Sequence, residues 1–168
     1  MTKQADVVII GGGIIGTAVA FYLSQTDIGR IVLLEREPFL GAGATSKAAG
    51  GIRAQFANRV NIEMSMLSEK LFCQFEEDTG SPALFDRVGY VFVLKDETDV
   101  ANFKQSYKLQ RSLGLNVQWL ERDEIAQHVP EVDLSDVLAA TYCGDDGLGD
   151  PHEFLSGYDK AIRGTGVE

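Results

Sequence analysis

The chain has 168 residues, 45% of them hydrophobic and 24% charged, with a formal net charge of −10. That length suffices for one ordinary domain with a sizeable core, and the balance is that of a globular protein. The acidic excess argues against nucleic acid or an anionic membrane as partner, while leaving room for a local positive pocket around phosphates.

Val7-Val8-Ile9-Ile10 is a β-branched apolar run that reads as a strand buried on both faces. Gly11-Gly12-Gly13-Ile14-Ile15-Gly16 follows directly and fits G-x-G-x-x-G. From Ile14 to Gln25 there is no charge and no proline, so a helix is expected, with Ile15, Val19 and Leu23 on one face. Ile31-Val32-Leu33-Leu34 is a second apolar strand, and Glu35 stands at its end. Strand, glycine turn, helix, strand and acid in this order make a βαβ unit with a dinucleotide fingerprint. Gly11 permits the tight turn, Gly13 lets a pyrophosphate approach bare backbone, and Gly16 lets the helix close on the sheet. The N–H groups of the first helical turn, at Ile14 and Ile15, offer partial positive charge to the phosphates. Glu35 stands about 20 residues beyond the glycines, where a carboxylate accepts hydrogen bonds from ribose hydroxyls and repels a 2′-phosphate. Arg36 beside it softens that repulsion. A membrane span or signal peptide is the competing reading, because nothing between Asp6 and Asp27 is charged. Glycines interrupt that stretch, only Lys3 precedes Asp6, no cleavage site follows, and the acid-tipped second strand would be coincidence.

Small residues predominate from Gly41 to Gly51 and permit close backbone approach to something flat or anionic. Thr45 and Ser46 add hydroxyls and a helix cap, and Lys47 and Arg53 add positive charge. On composition alone a flexible loop is an equal reading. The glycine turn, Glu35-Arg36 and the run Ala44-Thr45-Ser46-Lys47-Ala48-Ala49-Gly50-Gly51-Ile52-Arg53 together resemble the FAD-dependent amine and amino-acid oxidoreductases. These are the D-amino-acid-oxidase-like group that includes sarcosine oxidase, glycine oxidase and dimethylglycine dehydrogenase. The resemblance implies FAD as cofactor, with Glu35 on the adenosine ribose. It implies that Ser46, Lys47, Ala49, Gly50, Gly51 and Ile52 run beside the pyrophosphate and flavin. Some relatives attach the flavin through a histidine close to the position of Lys47, and lysine cannot make that bond. Lys47 can instead place positive charge near the reduced flavin; a solvated loop lysine is the plain alternative.

From Asn58 to about Thr79 the pattern is helical, and Val60, Met64, Leu67, Leu71 and Phe75 form a stripe expected to face the core. Gly80-Ser81-Pro82 ends it. Two cysteines, Cys73 and Cys143, stand far apart without metal spacing and read as buried free thiols in a reducing, cytoplasmic setting. Strands are expected at Gly89–Leu94, Val117–Leu120 and Val137–Cys143, with helices at Asp99–Leu113 and Asp123–His128. Asp145 to Pro151 reads as a turn, and Pro151 opens a helix running to about Arg163. Two histidines, His128 and His152, are too few and scattered for zinc, and no metal is expected. Val167-Glu168 looks like the opening of another strand.

The expected fold class is α/β: a Rossmann-type FAD-binding βαβ unit with part of an inserted antiparallel-sheet substrate domain. By resemblance, residues 1–82 are the first part of the FAD domain, 83–145 a substrate-domain segment, and 146–168 the return to the FAD domain. The chain then resembles only the N-terminal part of such an enzyme. A sheet without its later strands leaves an open edge, so self-association or a partner subunit is expected.

The family reaction removes a hydride equivalent from the carbon beside an amine. Arg53 is the candidate for a substrate carboxylate, because a guanidinium forks onto it and the residue follows the flavin-flanking loop. A phosphate neighbour or surface charge is as good a reading of Arg53. Tyr90 and Tyr142 are candidates to orient an amine, against the plainer reading of core packing. His152 reads as a helix-start residue. The reading is therefore an FAD oxidoreductase acting on a small amine or amino acid. Its rivals are an FAD enzyme of hydroxyl substrates such as glycerol 3-phosphate, and a nucleotide-binding module inactive without a partner chain.

Overall fold

A computed structural model of the chain describes residues 4–168. It divides into two units. The first holds the residues up to Gly51, then Cys73–Phe85 and Gly149–Glu168; the second holds Ile52–Phe72 and Asp86–Leu148.

In the first unit, β1 (Val7–Ile10) pairs in parallel with β2 (Ile31–Leu34), in register from Val7 opposite Ile31 to Ile10 opposite Leu34. Helix α1 (Ile14–Ser24) connects them, so the βαβ unit stands as the spacing implies. The closing residues continue the ladder: Leu33 N–H donates to Glu168 O at 2.7 Å and Glu168 N–H donates to Ile31 O at 3.1 Å. Arg30 forks onto the Glu168 carboxylate with two contacts of 2.8 Å.

Burial in this unit corrects one expectation and shows which way α1 faces. β1 is not buried on both faces, because Val8 and Ile10 are 53% and 87% exposed. On α1 the inner face is Thr17, Ala20 and Phe21, and Ile15 and Val19 lie exposed. The reason is local. Gly16 brings its side of the helix against the β1–α1 turn, and the small Thr17 and Ala20 flank it, so the larger Ile15 and Val19 turn outward. Packed against α1 is α6 (Pro151–Ile162). Asp150 caps α6 by accepting from His152 N–H at 2.7 Å, and Pro151 needs no donor at the first helical position. Between them α6, α1 and α3 (Phe75–Thr79) build an aromatic core. Phe75 meets Phe154 and Tyr158 edge-on at ring separations of 4.8 and 4.9 Å, and Tyr158 meets Phe21 at 5.5 Å.

The second unit is built on an antiparallel sheet. β5 (Tyr90–Leu94) and β6 (Val117–Leu120) both pair with β7 (Ala139–Cys143), giving the order β5-β7-β6. Helix α4 (Glu97–Ser112) is capped by Asp96, which accepts from Thr98 and Asp99 N–H. It covers one face with Phe103 on Phe92 and Tyr107 on Trp119. Helix α5 (Arg122–His128) covers the other through Ile125, packed with Leu120, Val137 and Ala140. Helix α2 (Arg59–Cys73) ends before α3, so the single helix expected from Asn58 to Thr79 is two. The stripe expected to face the core does not: Val60, Met64 and Leu67 are 61%, 62% and 57% exposed. Ile62 and Glu69 turn inward instead, with Met66 packed against Ala54, Leu115, Val117 and Cys143. Only Phe75 of the stripe is buried, and it sits on the next helix. Of the two free thiols, Cys143 is buried as expected, but Cys73, at the end of α2, is exposed. The chain crosses between units at the short strands β3 (Gly51–Ile52), β4 (Phe85–Asp86) and β8 (Gly147–Gly149), and at the end of α2.

Candidate functional site

The carboxyl ends of β1 and β2 open onto a cleft of about 810 Å³ in the first unit. Gly11 leaves β1 at φ +109°, a conformation open to glycine and strained for residues with a Cβ. Gly16 is fixed by contact: a Cβ there would lie 1.9 Å from Gly11 O. The helix and the turn therefore touch backbone to backbone, and the first turn of α1 faces the cleft.

Two acceptors organise this mouth. Glu35 accepts from Gly12 N–H at 2.7 Å through Oε2 and from Glu37 N–H at 2.9 Å through Oε1. These bonds, that from Glu37 first, hold its carboxyl below the usual glutamate range. Thr45, in a 3₁₀ turn at Thr45–Lys47, accepts from Ile14 N–H at 3.1 Å through Oγ1 and so caps α1 from a distance of 31 residues. Its hydroxyl would also stand 3.1 Å from a Cβ placed on Gly13, which keeps that backbone bare. Of the residues singled out by sequence, Gly11, Gly13, Ile14, Ile15, Gly16, Glu35, Arg36, Thr45 and Lys47 all line the cleft. Ser46, Ala49, Gly50, Gly51 and Ile52 are not among its lining residues. The Ser46 hydroxyl instead donates toward the carbonyls of Ala42 and Gly43, and the Gly50 carbonyl accepts from Gly149 N–H. Ala42, Gly43, Ala44 and Ala48, from the small-residue stretch, line the cleft as well. Bare glycine backbone, an anchored acid and the cationic Arg36 and Lys47 fit a dinucleotide, with amides for its diphosphate and a carboxylate for a ribose.

The candidate substrate residues lie in the second unit. The Arg53 guanidinium carbon stands 5.2, 5.6 and 5.4 Å from the ring centres of Phe56, Tyr90 and Phe92. Its Nε is buried with no hydrogen-bond partner among the described residues. Tyr90 is thus beside Arg53, but Tyr142 is on the opposite sheet face: Tyr90 pairs with Cys143, and Tyr142 with Val91. Tyr142 stacks on His128 at 4.1 Å. His152 is exposed at the start of α6.

The fold and cleft together define a dinucleotide-binding α/β protein. Over residues 6–168 the chain matches the FAD dependent oxidoreductase (DAO) family, and it belongs to that family. Its cofactor is FAD. It is 30% identical to FAD-dependent oxidoreductase domain-containing protein 1 of Xenopus laevis, over 98% of this chain and 35% of that protein. It is 31% identical to human mitochondrial dimethylglycine dehydrogenase, over 98% of this chain and 19% of that protein. Among solved structures, L-proline dehydrogenase from P. horikoshii superposes with a TM-score of 0.88 at 28% identity, over all of this chain and 44% of that one. The chain thus spans about a third of the Xenopus relative and a fifth of the human one. Among the described residues no helix is long and apolar enough to cross a membrane.

Proposed function

We propose that the protein oxidises the C–N bond of a small amino acid or secondary amine. FAD, when bound, supplies the two-electron acceptor. The chain's own residues supply the rest. Gly13 and the first turn of α1 would hold the diphosphate on N–H groups, and Glu35 would accept from the adenosine ribose. Lys47 places positive charge on the cleft wall, where it would offset negative charge on the bound cofactor. Arg53 forks onto the substrate carboxylate, and Tyr90, held beside it, orients the amine.

The observation that carries this reading is Arg53 itself. A guanidinium framed by three rings, whose buried Nε has no partner among the described residues, is held ready for a planar anion. The names of the relatives, an amine dehydrogenase and a proline dehydrogenase, point to the same donor class. The test is anaerobic bleaching of the flavin absorbance of the purified protein. Sarcosine, proline or glycine is expected to bleach it. Bleaching by glycerol 3-phosphate and by none of the amines overturns the proposal.

A further inference from the structure

Two acids lie together inside the second unit. Asp146, between β7 and β8, is fully buried, and Glu69, on the inner side of α2, is 8% exposed. Both Asp146 oxygens are engaged: Oδ1 accepts from Ala54 N–H and Oδ2 from Gln55 Nε2, each at 2.9 Å. Gln55 Nε2 also donates to Tyr90 O at 2.9 Å, which ties the same segment to β5. Glu69 lies within electrostatic reach of Asp146, and its Oε1 is buried with no partner among the described residues. Two ionised carboxylates have no proton to share, and burial makes two adjacent negative charges unfavourable. The other groups facing the pair do not neutralise it. Arg87 is half-exposed and paired with Asp145. The Cys143 thiol, on β7, is kept neutral by burial first and by the Asp146 charge next, which push it up to about 12. The same two causes push Glu69 up to about 8.

We propose that Glu69 is a positioning residue: it keeps a proton, donates it to Asp146, and so fixes the carboxylate that holds Ala54 and Gln55 immediately after Arg53. The effect on substrate rests on Arg53 being the carboxylate-binding side chain. The shared proton does not.

A group that binds its proton more tightly folded than unfolded stabilises the fold below its unfolded range, and that stabilisation is lost as pH rises through the folded value. For Glu69 the loss runs from the ordinary glutamate range up through about 8. If only the protonated pair holds Arg53 in place, KM for a carboxylate-bearing amine rises roughly tenfold between pH 7 and pH 9. Glu69→Gln keeps a donor toward Asp146 at every pH and removes the titration.

The experiment compares wild type with Glu69→Gln in two ways. Infrared difference spectra at pH 6 are expected to show a protonated-carboxyl carbonyl stretch in wild type that is absent from the variant and fades above pH 8. Unfolding midpoints from pH 5 to 9 are expected to fall in wild type more steeply than in the variant, and the KM rise, measured with sarcosine or proline, to flatten in the variant. No carboxylic-acid band assignable to Glu69, or identical pH profiles in the two proteins, overturns the proposal. Should no amine reduce the flavin, the substrate reading fails, and the infrared band with the unfolding profile still decides whether the proton is shared. If the variant does not fold, the wild-type band and its loss above pH 8 decide alone.

Discussion

Replacing Gly16 with alanine is the sharpest test of how this chain makes its cofactor mouth. The added Cβ would lie 1.9 Å from Gly11 O, 3.1 Å from Gly11 C and 3.5 Å from Ile9 Cγ2. An ordinary contact needs roughly 3.5 Å, so the first turn of α1 must retreat from the β1 turn by about 1.6 Å. Both atoms that collide belong to the backbone, so no rotamer change relieves them. Overpacking of this kind costs about 1–3 kcal/mol. At about 2–4 °C per kcal/mol for a chain of this size, the apoprotein midpoint is expected to fall by about 2–12 °C. The same retreat carries the N–H groups of Ile15 and Gly16 away from the diphosphate. Losing one charge-assisted hydrogen bond is worth about 1.5–3 kcal/mol, or roughly 10- to 100-fold in Kd. Flavin fluorescence quenching on titration with FAD measures the affinity, and urea unfolding of the apoprotein measures the stability. Gly164→Ala, where an added Cβ meets nothing within 4 Å, is the control and is expected to change neither. A Gly16→Ala protein with wild-type affinity and wild-type midpoint would refute the argument.

Glu35→Gln leaves the shape of the site but removes the charge that Gly12 and Glu37 N–H stabilise; FAD titration is expected to give a Kd raised about tenfold or more. Arg53→Lys loses the planar fork and the ring contacts, so steady-state kinetics should show a raised KM for sarcosine or proline and little change for an amine without a carboxylate. Phe75→Ala empties the centre of the aromatic cluster in the first unit and is expected to cost about 3–5 kcal/mol in urea unfolding, with the infrared signature of the second unit unchanged.

What was legible in the sequence was what short-range spacing dictates. β1, the glycine turn, α1, β2 and Glu35 are neighbours in one βαβ unit, and their order alone sets them around one mouth. Likewise the strands of the second sheet announced themselves by β-branched and aromatic runs, and α6 by Pro151 at its first position. Inside and outside were harder to assign. On α2 the apolar stripe through Val60, Met64 and Leu67 has the right period but points outward. The inner face instead carries a glutamate, which periodicity assigns to solvent. It lies near Asp146, 77 residues further on, and no local pattern links the two. Thr45 shows the same limit. Its hydroxyl suggested a helix cap, but no local spacing says that the helix is α1, 31 residues away.

The aromatic seam between α1 and α6 also has a consequence during synthesis. The ribosome makes α1 early, but the helix that covers it begins only at Pro151, some 127 residues after Ser24. At about 5–20 residues per second, the nascent βαβ unit waits roughly 6–25 s with Phe21 and Ala20 uncovered. During that interval a holding chaperone would find its target on α1, and the signal for its release would be the arrival of Phe154 and Tyr158.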